Sequence, residues 1–540
     1  MKRGAVLLIA GAAMLAVARL ATASLATPAI FRVGMEGASV QIDPQIAYIT
    51  TEWWLEYATA AKLYNWPDQG TAKLVPEVAS RFTVSDRGKK YTFFLRKGFR
   101  FSDGTRVTAR NFVYAIDRAA NKDLASPGAA FITDPNGANI VGAQEVNSGN
   151  GTHVMGVEVR GPYKLVIHLT KPDSSFLLKL TMPFFQATST ALPLTHEVLS
   201  PYPSAGPFAY TTNDVNVLTS IRRNPYYKRG PGRLRPRHLA GVDVVWGLNE
   251  EDLFQQVMAN QLDETNTLPP GEVQNVANQF GVNRSRFWTK PVDCSGFLLL
   301  NTRDGLLHND LPMRQAINWA VDRTGYVATS GPYAGGPWTH LLPPRFPGSI
   351  GTKRLQPYAP TSRIEKARQL AEGHFGDGRV IVVYRGTSPA LDAQGQLVRR
   401  DLIRLGFDPA KIQMVPYRYV GGLPEHWDIA ASLGWCSDNT DPYDFFLPLL
   451  HGYSSAFGDA QSGVLAGRYR ERVEQAEKLV GNRRLKALGK LDIDITTKFA
   501  PYVPMRTYNN RYLFSNRVDP RSLAYSGVYS NWSIPALALK

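Results

Sequence analysis

The sequence predicts an α/β fold from three observations. Strand-like and helix-like patterns alternate along the whole chain rather than separating into blocks. The 540 residues are 44% hydrophobic, 11% aromatic and 20% charged, an ordinary globular mixture that excludes a disordered, collagen-like or multi-span membrane chain. At ~150 residues per domain the length suggests two to four domains, and a chain this long can bury a large core without cross-links. No period of about 20–50 residues recurs, which argues against a solenoid.

The first segment reads as an address. Lys2 and Arg3 precede an apolar, small-residue run of 15 residues from Gly4 to Ala18, short for a bilayer, which needs ~20. Ala21-Thr22-Ala23 follows as a small-x-small cleavage site, so residues 1–23 are expected to be a secretory signal peptide. An uncleaved anchor is the alternative, and Arg19, just before the site, leaves the cut open. With no cysteine nearby, no lipoprotein attachment is expected. The chain is therefore expected to be soluble and periplasmic, or otherwise extracytoplasmic.

Further along, Tyr91–Arg96 is rich in aromatic and β-branched residues and predicts a strand. A Phe101–Thr105 turn follows, and Thr108 caps a helix whose Phe112, Val113 and Ile116 share one face. Tyr163–Leu169 and Val242–Trp246 predict strands; Glu251–Leu262 and Leu311–Val321 predict amphipathic helices. Val380–Tyr384 predicts a buried strand, followed by a turn at Gly386/Pro389 and a helix over Leu391–Leu405. Ile429–Leu433 predicts a strand and Arg468–Phe499 a long helical region. Glycine and proline cluster near 201–207, read as a subdomain boundary, and near 331–348, read as a surface loop.

Lys and Arg exceed Asp and Glu by 61 − 45 = 16 charges, or 13 without residues 1–23. The densest basic stretch, Arg222–Arg237, is broken by Pro225, Pro231 and Pro236 and reads as a solvated loop. An exported chain meets little nucleic acid, so no nucleic-acid partner is expected, and adhesion to anionic lipid surfaces is a simpler use of the charge. Enzyme signatures are missing: no nucleophile elbow, no phosphate loop, no dinucleotide fingerprint. The nine histidines are scattered without HxxH or HxxxH spacing. No catalytic activity, metal site or cofactor is expected.

Seven segments, in order, resemble the extracytoplasmic solute-binding proteins of the peptide/nickel ABC-importer family (family 5). Tyr91–Asp117 resembles the family's strand, DG turn and helix, with Arg110-Asn111 replacing an acidic pair, read here as a surface change. Ala205-Gly206-Pro207-Phe208, Asn224-Pro225-Tyr226-Tyr227 and Asn301–Arg323 resemble further family segments. Leu342-Pro343-Pro344 and Arg363–Leu370 follow in order, and Gly434–Asp438 with Asp441-Pro442 resembles the W-x-x-D…DP binding loop. The resemblance spans about residues 30–520. It implies a two-lobed periplasmic-binding-protein fold (clamshell, type II) with an extra subdomain on the first lobe. It also implies lobe I over 29–66, 203–288 and 505–540, an inserted subdomain over 67–202, and lobe II over 289–504.

What the resemblance implies for the site is a ligand enclosed between the lobes. Asp438, three residues after Trp435, would take a ligand ammonium, since a desolvated ammonium needs a fixed carboxylate. Arg385, 53 residues earlier, would hold a carboxylate through its guanidinium fork. Thr387 stands where an aromatic is expected, which puts ligand length in doubt. Trp435 would wall the pocket, and Ser39 would touch ligand from the first lobe. Trp53 and Trp54 read as packing residues. Cys436 lies beside this site; a disulfide to Cys294 is open, but two buried free thiols are the reading adopted.

The function expected is capture of short peptides, as a monomer, and delivery to a membrane permease driven by a partner ATPase. Same-family binding of another solute (a metal chelate, opine or oligosaccharide), a secreted hydrolase, and a sensor presenting ligand to a receptor are the alternatives. Asp438 with Arg385 favours a zwitterion over a sugar.

Overall fold

A computed structural model describes residues 29–37, 41–68, 73–134, 139–227, 236–351, 356–386, 388–417, 423–451 and 463–540. The expected signal peptide, Ser39, Thr387 and residues 228–235 of the basic stretch lie outside the described residues. Among the described residues, no helix is long and apolar enough to cross a membrane.

Ten strands form one mixed sheet. At one end Ile30–Gly34 runs parallel to Gly241–Val245 and to the short Glu264–Thr265, with the hairpin Phe208–Asp214 and Leu218–Arg223 at the edge. At the other end Val380–Arg385 runs parallel to both Ile412–Tyr417 and Ile429–Cys436. Two long antiparallel strands, Phe287–Leu300 and Tyr502–Phe514, join the two ends. Leu513 and Phe514 pair with Thr265 and Glu264 in the first half, while Cys294–Leu300 pairs with Ile429–Cys436 in the second. The register of the crossing pair breaks between Pro291 and Ser295 and again between Gly296 and Phe297. These breaks lie between the two halves, where a bulged ladder bends most readily.

In the second half, alternation sends Leu298, Leu300, Val382, Ala431 and Val503 to one face, against the helices Leu311–Ala320 and Pro389–Leu405. Phe297, Leu299, Val383, Leu433 and Tyr502 face the other way. The parallel cluster of the second half is therefore covered on both faces, and open α/β sheets take ligands at the carboxyl ends of such strands. Between the first two strand regions stands a separate four-stranded antiparallel sheet: Ala79–Ser85, Lys90–Leu95, Lys164–His168 and Val157–Val159. The helix Ala109–Ala120 packs beside it. Arg118 of that helix makes a fully buried bidentate ion pair with Asp43 (2.9 and 2.8 Å), tying the small sheet's layer to the first half.

Three sequence readings need correction and a fourth is refined. Asn111 is no surface change: it is buried, its amide oxygen accepts from the Thr108 N–H at 2.9 Å, and its NH₂ donates to the Thr188 carbonyl at 3.0 Å. It does the work of the acidic member of a capping box without the charge. The 331–348 segment is not a surface loop. Trp338, His340, Leu341 and Leu342 are buried, because the Asp492 carboxylate gathers His340 Nδ1 (2.7 Å) and the N–H groups of Leu341 (2.8 Å) and Leu342 (3.0 Å). Arg468–Phe499 is helical as read, in two helices, Gly463–Glu477 and Gly481–Asp494, parted where Gly481 takes φ +57°, with a last wide turn over Ile495–Phe499. Finally, Cys294 and Cys436 are not free thiols. They stand directly opposite each other on neighbouring antiparallel strands, Cα–Cα 4.0 Å, and form a disulfide.

Candidate functional site

The site begins where Ile429–Cys436 leaves the sheet. Its first residues, Ile429, Ala430, Ala431 and Leu433, are buried and hold the strand in the core. Gly434 and its cross-strand partner Gly296 lie beneath Tyr508. A Cβ on Gly296 would sit 2.5 Å from the tyrosine oxygen, and one on Gly434 3.3 Å from it. The glycine pair thus gives the ring room to lie on the strands.

Beyond the disulfide, side chains of the loop itself set its path. The Ser437 N–H donates to the Asp293 carbonyl at 3.0 Å. The Asp438 N–H donates to Asp444 Oδ2 at 2.7 Å, and the Asn439 NH₂ to Asp444 Oδ1 at 3.1 Å. Asn439 in turn accepts from the Asp441 N–H at 2.9 Å. Arg484 grips Asp441 bidentately (2.7 and 2.6 Å) and Glu477 at 2.7 Å, pinning the loop to the two C-terminal helices. The turns at Asp438–Asp441 are held by carboxylates and an amide of the same stretch of sequence, Asn439 and Asp444.

The loop closes one side of a cavity of about 230 Å³. Tyr48 from the first half, Ala125, Pro127, Ala130 and Phe131 from the inserted layer, and Trp435, Asp438, Asp444, Leu447 and Pro448 from the second half line it. Three parts of the chain therefore meet there. Tyr48 donates its hydroxyl proton to Asp438 Oδ2 at 2.8 Å, across 390 residues of sequence. The Tyr48 ring is itself held by Trp53 and Phe184. Burial pushes the Asp438 carboxyl up to about 7, with the Tyr48 hydrogen bond acting the other way. Asp444 is raised well above the carboxylate range, by burial first and then by the neighbouring Asp438 charge. Among the described residues that line it, none is basic. A buried acid pair with aromatic and aliphatic walls suits a cation with an apolar surround.

The sequence-derived residues separate. Asp438 and Trp435 line this one cavity; Arg385 does not. Arg385 ends its strand half-buried, about level with Ser432 of the parallel neighbour, and its charge acts on Tyr508. Six residues of chain separate that level from Asp438, the last two of them in the loop beyond the strand. Trp53 and Trp54 are packing residues, their indole N–H groups donating to the carbonyls of Ala47 (2.8 Å) and Trp532 (2.6 Å). Sequence reasoning missed Tyr48 and Asp444. Asp444 had a signal, since Asp438, Asp441 and Asp444 recur every third residue through a loop and into a helix; Tyr48 had none.

The family model for bacterial extracellular solute-binding proteins, family 5 Middle, matches residues 73–457. The chain is 23% identical over 453 residues to the dipeptide-binding protein of Escherichia coli (strain K12), covering 79% of each chain. It is 27% identical over 379 residues to the probable deoxycholate-binding periplasmic protein YgiS of the same organism, covering 65% of this chain and 64% of that one. In three dimensions it matches the Escherichia coli murein tripeptide binding protein MppA with a TM-score of 0.76 at 21% identity, over 96% of this chain and 99% of that one. Both halves of the sheet and the inserted layer fall within that match.

Proposed function

The chain belongs to the family 5 bacterial extracellular solute-binding proteins, and from that premise we propose that it captures short peptides between its two lobes and hands them to an ABC importer. One observation carries the choice of ligand: the cavity shared by Asp438 and Asp444 offers buried carboxyls and no base to the incoming group. A peptide's α-ammonium satisfies that demand. Deoxycholate is a carboxylate and would meet like charge there, and a neutral sugar would leave the acids without a counter-charge.

In this reading, lobe I comprises 29–66, 203–288 and 505–540, the inserted subdomain 67–202, and lobe II 289–504. The crossing strands Phe287–Leu300 and Tyr502–Phe514 are the hinge, with register breaks at their centre. Asp438 holds the ammonium, Trp435 forms the wall beside it, and Arg385 takes the carboxylate. Ser39 contributes from lobe I. Residues 1–23 direct export and are cleaved without lipid attachment, and the protein acts as a monomer. A membrane permease and its ATPase supply the energy, and the chain performs no chemistry.

Mass spectrometry of ligands released by denaturing the purified protein tests this. Peptides with free amino termini are the expected contents. Bile acids, sugars or metal chelates as the dominant species, with no peptide, would overturn the reading.

A further inference from the structure

The Asp438 carboxyl is reached from the other half of the molecule. Tyr48, in the loop before the helix Thr50–Thr59, donates its hydroxyl proton to Asp438 Oδ2 at 2.8 Å. Among the described residues, no other side chain hydrogen-bonds that carboxyl. None of the family segments quoted above includes Tyr48. Resting on the reading of this cavity as the ammonium site between two lobes, we propose that Tyr48 is a positioning residue that latches the lobes together. Its hydroxyl fastens lobe I to the carboxylate that holds the ligand, so the ligand leaves only after this bond breaks.

Each partner is held from its own side. Glu52, in the first turn of the helix, accepts the N–H groups of Tyr48 (2.7 Å) and Ile49 (3.1 Å) on one oxygen and that of Gln41 (3.1 Å) on the other. The Trp53 indole donates to the Ala47 carbonyl at 2.8 Å, fixing the residue before Tyr48. The Tyr48 ring lies against Trp53 and Phe184, with ring centres 6.0 and 5.7 Å away. A tyrosine side chain has few rotatable bonds, so a fixed backbone and a packed ring leave its hydroxyl little freedom. On the other side, Asp438 sits in the loop tied down by Asp444, Asn439 and Arg484. The bond therefore reports how one half is placed against the other, not the reach of a flexible side chain.

That makes the bond sensitive to closure. The crossing strands join the halves, and their register breaks lie between them. A hydroxyl–carboxylate hydrogen bond holds over about 2.5–3.0 Å, so opening at those breaks parts Tyr48 from Asp438. An ionised acceptor makes the bond a strong one of its kind. A carboxylate has about four acceptor positions, so one hydroxyl leaves room for an ammonium on the same group. Ligand capture and lobe closure then converge on one side chain.

The probe is the dipeptide Ala-Phe, with affinity from calorimetry and rates from stopped flow, on the full-length exported protein and on Tyr48→Phe. This variant keeps the ring and its packing and removes only the hydroxyl. It should bind Ala-Phe about tenfold or more weakly, as loss of a hydrogen bond to a charged group does, mostly through faster release. Small-angle scattering without added peptide stands beside it, on the wild type, Tyr48→Phe, Asp438→Asn and the double variant. Each single variant should show a larger radius of gyration than the wild type, and the double variant no larger one than either, because both changes remove the same bond. A merely structural tyrosine would add its own effect to that of Asp438→Asn. Unchanged affinity and release in Tyr48→Phe, a scattering profile that coincides with the wild type's, or a double variant more open than both single ones overturns the latch while peptide binding stands. No Ala-Phe binding by the wild type, with Tyr48→Phe still the more open molecule, overturns the peptide reading while the latch stands.

Discussion

Asp438 is worth isolating because its environment is nearly all carbon apart from its own loop and Tyr48. Asp438→Asn keeps the shape and removes the charge. Truncating one member of a buried charge pair costs ~2–5 kcal/mol, which at ~1.4 kcal/mol per tenfold is roughly a 30-fold to several-thousand-fold loss of peptide affinity. N-acetylated peptides should bind the wild type poorly and lose little more in the variant. Arg385→Lys should lose less than Arg385→Ala, and only for peptides with a free carboxylate. Calorimetry over this matrix decides the assignment: free peptides binding Asp438→Asn as tightly as the wild type would remove the ammonium role. The sequence motif made Asp438 legible, because tryptophan, aspartate and the DP pair sit at fixed offsets. Its hydrogen bond to Tyr48 was not, because 390 residues separate the two and no local rule links them.

Helices and strands were legible wherever a period was clean. The helix Leu311–Ala320 buries Met313, Ala316, Ile317 and Ala320 on the face its spacing predicts. Gly489 shows where local rules mislead. It lies inside the helix Gly481–Asp494, where alanine is favoured over glycine by about 1 kcal/mol. Yet a Cβ there would stand 1.9 Å from the Gly348 carbonyl oxygen, which is backbone and cannot swing aside. Gly489→Ala should therefore destabilise, by about 1–3 kcal/mol, as overpacking does. Thermal unfolding of the variant checks it, and a raised midpoint would mean the 348 segment yields at no cost. The same contact explains why 331–348 is not a surface loop: its end is seated on this helix.

At the scale of the whole molecule, burial holds several acids well above the usual carboxylate range. Burial raises Glu264 to about 8, Glu56 to about 7 and Asp293 to about 6. In the unfolded chain these groups titrate near 4. Between those limits the folded state binds more protons, so its stability declines as pH rises through each folded value. The unfolding midpoint should be higher near pH 5.5 than near pH 8.5. Glu264 sits between the crossing strand and Ile30–Gly34 with 1% exposure. Glu264→Gln should flatten the profile and be the more stable form at pH 8.5, by a few kcal/mol at about 1.4 kcal/mol per pKa unit. Calorimetric melts across that range test it, and a variant profile as steep as the wild type's would place the dependence elsewhere.

Sequence alone determined the alternating α/β character, most individual elements, the family and the aspartate at its loop, because these rest on period, composition and short motifs. The tertiary structure decided which distant segments meet. It paired Cys294 with Cys436 by setting them opposite each other in neighbouring strands. It drew Trp338–Leu342 inward onto Asp492, and it placed Asp444 beside Asp438 while leaving Arg385 outside their cavity. The physical reason is that burial, and with it the charge state of an acid, depends on what packs against a residue from elsewhere in the chain, and no local pattern encodes that.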